Sequence, residues 1–553
     1  MGDARVPQEL AGMAPGRELA GLLERVELAQ LPHDRLNDVL IAQNRQLARE
    51  QARMFAVTTE IARRRPSADP NVILRDSVPQ PYAADEVRAA LALTRRTAER
   101  ETELAFTVVE VMPLVQAALE LGQIDRGRAW VFTQHLTDLS AAQIEVICRA
   151  VLPIAGRLTT GQLADRLRRL VIEIDPGFYE RRYRRAVEDR RVIGYLDVDG
   201  TATIAAKGLP PEEAAVALQR VGALAAAARR RGHPGTLDQV KADVMLGLLD
   251  GSLHGLNRED IIAALQERYA EREGQAAATA AATAGATTAA AAPEGAVEVQ
   301  VALTTILGRD DLPGALPGWG PIPAAAARRI VARQRRAEWR WVVVDAEGYL
   351  VCSGTTRRRP RHMSRGRPPG GIVELQVRES DLAELAADPT TSTWAPLIAD
   401  IVAQYVDREA ALQDLDAHPD DRLPRAALER HVECRDRTCA HPGCQAPATR
   451  SDMDHTRDHT KSGPTTTDDL SPECRHDHGL KEAGWELEQP EPGRFVWRSP
   501  LGQEYTVGPT PIMIPPLQAP DPPSLPEPEH PEEGPEPGGA ARDRAPPDPD
   551  AGA

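Results

Sequence analysis

Apolar residues recur at helical spacing along the first half of the chain. Between Leu36 and Ile61, the residues Leu36, Leu40, Leu47, Met54, Phe55 and Ile61 return at intervals near 3.6, with Arg and polar residues on the other faces. This pattern predicts one long amphipathic helix with those side chains turned inward. A second run opens near Asp85, carries Val87, Leu91, Leu93 and Leu104, and reaches about Leu121, where Gly122 offers a stop. Helices are also predicted over Ser140–Ala150, Thr160–Ile172, Pro211–Arg231 and Thr236–Leu249. The period changes at Val192–Ala206, which reads as two short strands around the hairpin dipeptide Asp199-Gly200.

Ala276–Ala292 contains only Ala, Thr and one Gly. It has no apolar stripe to dock, and residues 275–296 are therefore expected to be a linker after a helical domain at 18–274. Beyond it, Val297–Ile306 reads as a strand, Trp339–Ser353 as a hairpin turning at Ala346-Glu347-Gly348, and Ile372–Val377 as a further strand. Helix returns at Ser392–Ala417, giving a small mixed α/β continuation at 297–424. A Cys/His-rich module is placed at 425–507. From Gly508 onward, 15 Pro, 9 Asp/Glu and 2 Arg in 46 residues predict a disordered acidic tail, 508–553. The expected class is mainly α and multidomain.

Composition narrows the function. The chain has 553 residues, too many for one ordinary core, and a formal net charge of −16, which excludes a histone-like polycation. Contact with nucleic acid must use local basic patches. With 62 Arg against 4 Lys, abundance of Arg alone carries no functional signal. No apolar stretch of membrane length is present and the N-terminus lacks signal-peptide form, so the expectation is a cytoplasmic protein with no membrane contact.

Four of the six cysteines, Cys434, Cys439, Cys444 and Cys474, fall within 41 residues, which favours a metal site over a disulfide framework. Zinc takes four ligands, often as two close pairs stapling separate segments. Cys439 and Cys444, around the turn-forming Pro442-Gly443, suit the first pair. Cys474 with Asp477 suits the second, with His476 as the alternative ligand. Cys434 has no role in this scheme, and His431, His441 and His459 are expected in solvent or on loops. Asp454-His455 and His478 are then left over. A nuclease needs a hard cation with open positions and a base to deprotonate water, and an Asp, a His and a second His can supply both.

The stretch from Arg435 through Cys439-Ala-His-Pro-Gly-Cys444, Asp454-His455, Asp469-Leu470 and Cys474-Arg-His476-Asp477-His478-Gly-Leu-Lys481 resembles the HNH (ββα-metal) endonucleases. In particular it is similar to the HNH proteins of high-GC bacteria with a long helical N-terminal domain, the 13E12 repeat family. The resemblance is strongest at 435–481, clear from Asn37 through Asp250, and takes in Pro-Gly-Trp-Gly-Pro-Ile at 317–322. It implies hydrolysis of DNA phosphodiester bonds. Asp454 and His478 would ligate a catalytic divalent ion (Mg²⁺, Mn²⁺, Ni²⁺ or Zn²⁺), and His455 would be the general base. Asp469 would stand where the family's Asn orients that base. Cys439, Cys444, Cys474 and Asp477 would hold a structural Zn²⁺.

Three positions depart from the family pattern. Asp469 replaces Asn and should raise the pKa of His455; Asp477 replaces His; and Asp458 stands where Pro is common. These departures motivate an alternative, a zinc-stabilised DNA-binding or regulatory protein on a decayed nuclease module.

The module itself is not basic, with 9 Lys/Arg against 12 Asp/Glu between Arg425 and Glu486, so DNA contact needs help from elsewhere. Arg357, Arg358, Arg359, Arg361, Arg365 and Arg367 form one acid-free cluster. Arg328, Arg329, Arg333, Arg335, Arg336 and Arg340 form a second, on an expected helix. Asp85–Glu103 has the spacing of a helix-turn-helix or of a bent amphipathic helix. The N-terminal helices also offer a surface for homo-oligomerisation.

Overall fold

The computed structural model of the chain describes residues 10–67, 72–281, 297–334, 337–360 and 371–514. The architecture is mainly α and multidomain. A long helix, His33–Arg63, leads a set of shorter ones: Ala83–Leu91, Arg95–Phe106, Pro113–Glu120, Arg126–Leu136, Ala141–Ala155, Thr160–Ile174 and Phe178–Glu188. Helix starts are written locally. Ser140 and Thr159 accept from the backbone N–H three residues on, while Gln143 and Gln162 reach back to the cap, two capping boxes.

The long helix corrects the expected stripe. Leu36, Leu40, Leu47 and Met54 lie on its exposed side, and the buried side is lined by Val39, Ala42, Ala48, Ala52 and Phe55. Small Ala side chains let the neighbouring helices approach closely, so the face with the larger residues is not the one that packs. The run from Asp85 to Leu121 is not continuous. It breaks after Leu91, where Ala92 is left-handed, and again at a π-helical turn, Thr107–Val111, before Pro113. Gly122 ends it at φ +65°, and a Cβ there would lie 2.9 Å from that of Arg45.

Arg191–Leu196 and Ala202–Lys207 form the expected antiparallel hairpin. Helices Pro211–Arg230, Leu237–Leu249 and Arg258–Ala281 pack around a separate small core. The last of these runs into the expected linker, because an Ala-rich sequence is itself a strong helix former. Residues 282–296 lie outside the described residues.

The mixed region is a six-stranded sheet. Ile372–Arg378 is its hinge, parallel both to Glu298–Ala302 and to Glu338–Val344, and Leu350–Thr356 returns antiparallel at one edge. Gly314–Leu316 and Gly320–Ile322, around the Pro-Gly-Trp-Gly-Pro-Ile segment, form the other edge. Val297–Ile306 divides into that first strand and a short helix, Leu303–Ile306; Ser392–Ala417 divides into Ala395–Val406 and Arg408–Leu415.

The described chain runs past Gly508, so residues 508–514 do not follow the expectation of disorder. Met513 is buried against Ala302 and Val344, and Ile512 N–H donates to the Gly348 carbonyl at 2.8 Å. Residues 515–553 lie outside the described residues. No single helix among the described residues is long and apolar enough to cross a membrane. The bent pair Arg95–Val111 and Pro113–Glu120, apolar enough together, turns through 102° and contributes Leu104, Val108, Val115 and Leu119 to the helical core.

Candidate metal centre

Helix Ala426–Asp436 ends against Arg437, whose φ of +66° turns the chain into the first cysteine loop. Thr438 bridges Pro447, and Cys439 N–H donates to the Ala446 carbonyl, so the loop closes on itself and brings Cys444 back beside Cys439. Cys474 caps the short helix Arg475–His478, whose single turn carries Asp477 to the same side. Asp477 Oδ2 lies 3.2 Å from Cys439 Sγ and 3.3 Å from Cys474 Sγ, and Cys444 Sγ lies 4.0 Å from Cys474 Sγ.

All four ligand atoms lie within 4.8 Å of one another. Zn–S bonds near 2.3 Å in a tetrahedron give ligand–ligand edges of roughly 3–4 Å, so three thiols and one carboxylate at these spacings form a cluster that can hold a metal ion. Hydrogen bonding among the three thiols holds Cys474 well below its usual range and pushes Cys439 and Cys444 above theirs, so one thiolate is ready and metal binding has to displace the protons of the other two. His476, the alternative ligand, turns away and places Nε2 3.0 Å from Asp85 Oδ2.

Beside this cluster, Asp452–His455 pairs antiparallel with Leu470–Glu473, setting Asp454 opposite Ser471 and His455 opposite Leu470. The helix Arg475–His478 then brings His478 Nε2 to 3.4 Å from Asp454 Oδ2. Two strands and a short helix thus gather Asp454, His455 and His478. His455 Nε2 lies 2.8 Å from Thr465 Oγ1.

Lys481 was not singled out by sequence reasoning. Its ammonium donates to Asp454 Oδ2 at 2.7 Å and to the His455 carbonyl at 3.0 Å, and lies 2.5 Å from Glu473 Oε1. No local signal marks it: Lys481 lies in the turn after helix Arg475–His478, and its partners are set by the tertiary fold. Burial works against ionisation of Asp454, but Lys481 and then His478 outweigh it and hold the carboxyl below the usual range. Glu473 is fully buried, and burial pushes its carboxyl up to about 7 in spite of Lys481.

Asp469 makes no hydrogen bond to the His455 side chain. Its Oδ1 accepts from the Thr456 hydroxyl and the Arg457 guanidinium, both at 2.9 Å, and from the Arg457 backbone N–H. The expected rise in the His455 pKa is also reversed. Burial, and next the adjacent His459, hold it below the ordinary value, while Asp454 and Asp469 pull the other way with less effect. Asp458 caps the turn His459–Lys461 by accepting from Thr460 N–H, which accounts for an acid at that position.

The remaining histidines and the fourth cysteine of the cluster are not loose. His441 is buried between Trp485 and Trp497, and desolvation lowers its pKa to about 4. His431 is half-buried beside Ser353, with its pKa likewise lowered to about 4 by burial. His459 sits half-buried on its turn, Nδ1 3.1 Å from the Gly463 carbonyl. Cys434 is a core thiol packed on Glu374.

The arginine clusters divide. Arg357 and Arg358 are exposed, whereas Arg359 donates to the carbonyls of Thr356 and Ala337 and stacks on Trp339. Arg361, Arg365 and Arg367 lie outside the described residues, as do Arg335 and Arg336. In the second cluster Arg328 is engaged with Thr305, Asp310 and Asp311, and Arg340 is buried between Glu338 and Glu433. Arg329 and Arg333 are exposed on helix Ala324–Arg333.

The segment with helix-turn-helix spacing does form two helices joined at 92–94. The first spends its polar face on the Cys/His module: Arg88 reaches Asp477, Asp85 reaches His476, and Glu86 accepts from Leu501 N–H. Arg88 was missed because only contact across 389 residues reveals it.

No family model matches the chain, and no solved structure matches it. Among the proteins it is similar to are three from Mycobacterium tuberculosis (strain ATCC 25618 / H37Rv). Uncharacterized protein Rv3776 is 35% identical over 235 residues, covering 35% of this chain and 44% of its own length. Uncharacterized protein Rv2100 is 37% identical over 119 residues, 21% of each chain. Uncharacterized protein Rv1945 is 24% identical over 220 residues, 38% of this chain and 47% of its own. The chain spans less than half the length of these curated relatives.

Proposed function

We propose that the chain is a metal-dependent endonuclease of the HNH type that hydrolyses DNA phosphodiester bonds. The observation that carries this reading is the convergence of Asp454, His455 and His478 on two strands and a short helix, next to a Cys3Asp cluster. Asp454 and His478 would hold a divalent ion, which when bound would supply stabilisation of charge on the phosphate oxygens. His455 has Nε2 on Thr465, leaving Nδ1 to take the proton of the attacking water. Its lowered pKa keeps the ring in the basic, neutral form at neutral pH. Arg357 and Arg358 supply exposed cations for phosphates.

Plasmid nicking tests this directly, with Mg²⁺, Mn²⁺, Ni²⁺ or EDTA. Nicking that requires a divalent ion and drops by about 100-fold or more in His455→Ala is expected; His455→Ala nicking at the parent rate would refute the assignment.

A second reading is favoured by two specific observations. Lys481 places a cation on Asp454, and Asp469 is committed to Thr456 and Arg457 instead of the base. On that reading the module is a zinc-stabilised DNA-binding or regulatory unit. DNA binding without cleavage under any of the ions, with cleavage appearing in Asp469→Asn, would select it.

A further inference from the structure

Asp477 divides its two oxygens between two partners. Oδ2 faces the thiols of Cys439 and Cys474, and Oδ1 accepts from Arg88 Nη1 at 2.7 Å, with Arg88 Nη2 3.4 Å from Oδ2. Both side chains are sealed from solvent, Arg88 at 1% exposure and Asp477 at 0%. Arg88 belongs to helix Ala83–Leu91 of the helical region, and Asp85, one turn earlier, fixes its guanidinium at 3.2 Å while pairing with His476.

Charge explains why a guanidinium is buried there. Three thiolates and a carboxylate around a divalent ion leave two net negative charges in a closed site, whereas a neutral imidazole in place of the carboxylate would leave one. Arg88 cancels the added charge and, by holding Oδ1 at 2.7 Å and reaching Oδ2 only at 3.4 Å, orients the carboxylate with Oδ2 toward the thiols. Partners of this kind commonly fix the orientation of a ligand and tune its basicity. A buried charge without such a partner is costly.

We propose that Arg88 completes the metal centre from outside the module, so that metal occupancy and the docking of helix Ala83–Leu91 are linked equilibria. The inference rests on reading Cys439, Cys444, Cys474 and Asp477 as a zinc site. Linkage is reciprocal: whatever helix docking adds to metal affinity, bound metal adds to docking. Arg88 is a positioning residue here and touches no reacting group.

The test uses the full chain loaded with zinc and competed against a chromogenic chelator. Arg88→Met is expected to weaken zinc binding by about 10–100-fold, the usual cost of losing such a partner. In an Asp477→His background the same change is expected to cost less than about threefold, because the neutral ligand no longer needs the cation. Arg88→Lys keeps the charge without the fork and carries the comparison where Arg88→Met does not fold. Stripping zinc from the parent should raise hydrogen exchange in Ala83–Leu91. Equal losses in the two backgrounds, or exchange in that helix unchanged by stripping, overturn the proposal while leaving the zinc site intact. A parent chain that binds no zinc overturns the zinc site and the proposal together.

Discussion

The helical region and the Cys/His module bury opposite kinds of surface. The helical core includes Val115, Leu119, Phe132, Ile147, Val151, Leu163 and Leu167, contributed by four helices and almost free of charge. The module's apolar core is small, built on Leu480, Trp485, Leu487, Phe495 and Trp497. Around it Arg435, Asp436, Asp469, Glu473 and Asp477 are buried as well. The first region is held by apolar area, which many residues share and no single one dominates. The second has too little area for that and relies on paired charges and, on the present reading, a metal, as small modules generally must. Damage should therefore be graded in the helices and abrupt in the module.

Metal removal is the largest expected break in that contrast. A structural zinc contributes on the order of 10 kcal/mol to the fold it closes. Chelation should abolish exchange protection across Asp452–His455 and Leu470–Glu473, while helices Ala141–Ala155 and Thr160–Ile174 keep theirs. Loss of protection in both regions together would show that they are one cooperative unit, and the contrast would fail.

The same contrast decides how much of the molecule was legible in the sequence. Helices with their own caps, such as the one opened by Ser140 and Gln143, are readable because the signal is local. So are the Asp199-Gly200 hairpin and the Cys-x4-Cys loop. The buried face of His33–Arg63 was misread because size is a poor guide where close helix approach selects Ala: Leu40 is 67% exposed and Ala52 only 1%. The charged partners were illegible for a different reason. Arg88, Lys481 and Glu473 matter through contacts set by the tertiary fold, and no periodicity marks an Arg that meets its carboxylate 389 residues later. Asp469 lies on the module, and its partners, Thr456 and Arg457, are fixed by the loop rather than by the motif.

A paired substitution sharpens the comparison at intermediate size. Arg437 donates to Glu374 at 2.8 Å, joining helix Ala426–Asp436 to the central sheet strand. Burial pushes the Glu374 carboxyl up, and Arg437 overrides it and holds it below the usual range, so the pair is ionised. Arg437→Met strands that carboxylate and should cost about 3–5 kcal/mol; Phe132→Ala opens a void in the helical core at about the same cost. The informative difference lies in the second substitution. Glu374→Gln in the Arg437→Met background should recover a large part of the loss in denaturant midpoint, since the orphaned charge is gone. No neighbouring polar change should rescue Phe132→Ala. Failure of the Glu374 rescue would mean that Arg437 acts by packing, like a core residue.

The smallest effect comes from acid. His431 packs between the module helix and the sheet, and burial, with Arg435 next, lowers its pKa from 6.5 to about 4, against a weaker upward pull from Asp416. Above pH 6.5 the ring is neutral in both folded and unfolded chains and adds nothing to the pH dependence. As pH falls below 6.5 the unfolded chain takes the proton first, so stability is lost progressively until about pH 4, where the folded ring titrates too. Between pH 7 and pH 5 this amounts to about 2 kcal/mol. Glu473 and the other raised carboxyls work in the opposite sense, because the folded state binds their protons first, so the parent's own acid profile mixes the two. His431→Gln isolates the histidine: its stability difference between pH 7 and pH 5, from denaturant titrations, should shift by about 2 kcal/mol in favour of the acid condition. An unchanged difference would mean that the ring is hydrated in solution. The seam between module and sheet would then be looser than the apolar packing of the helical core.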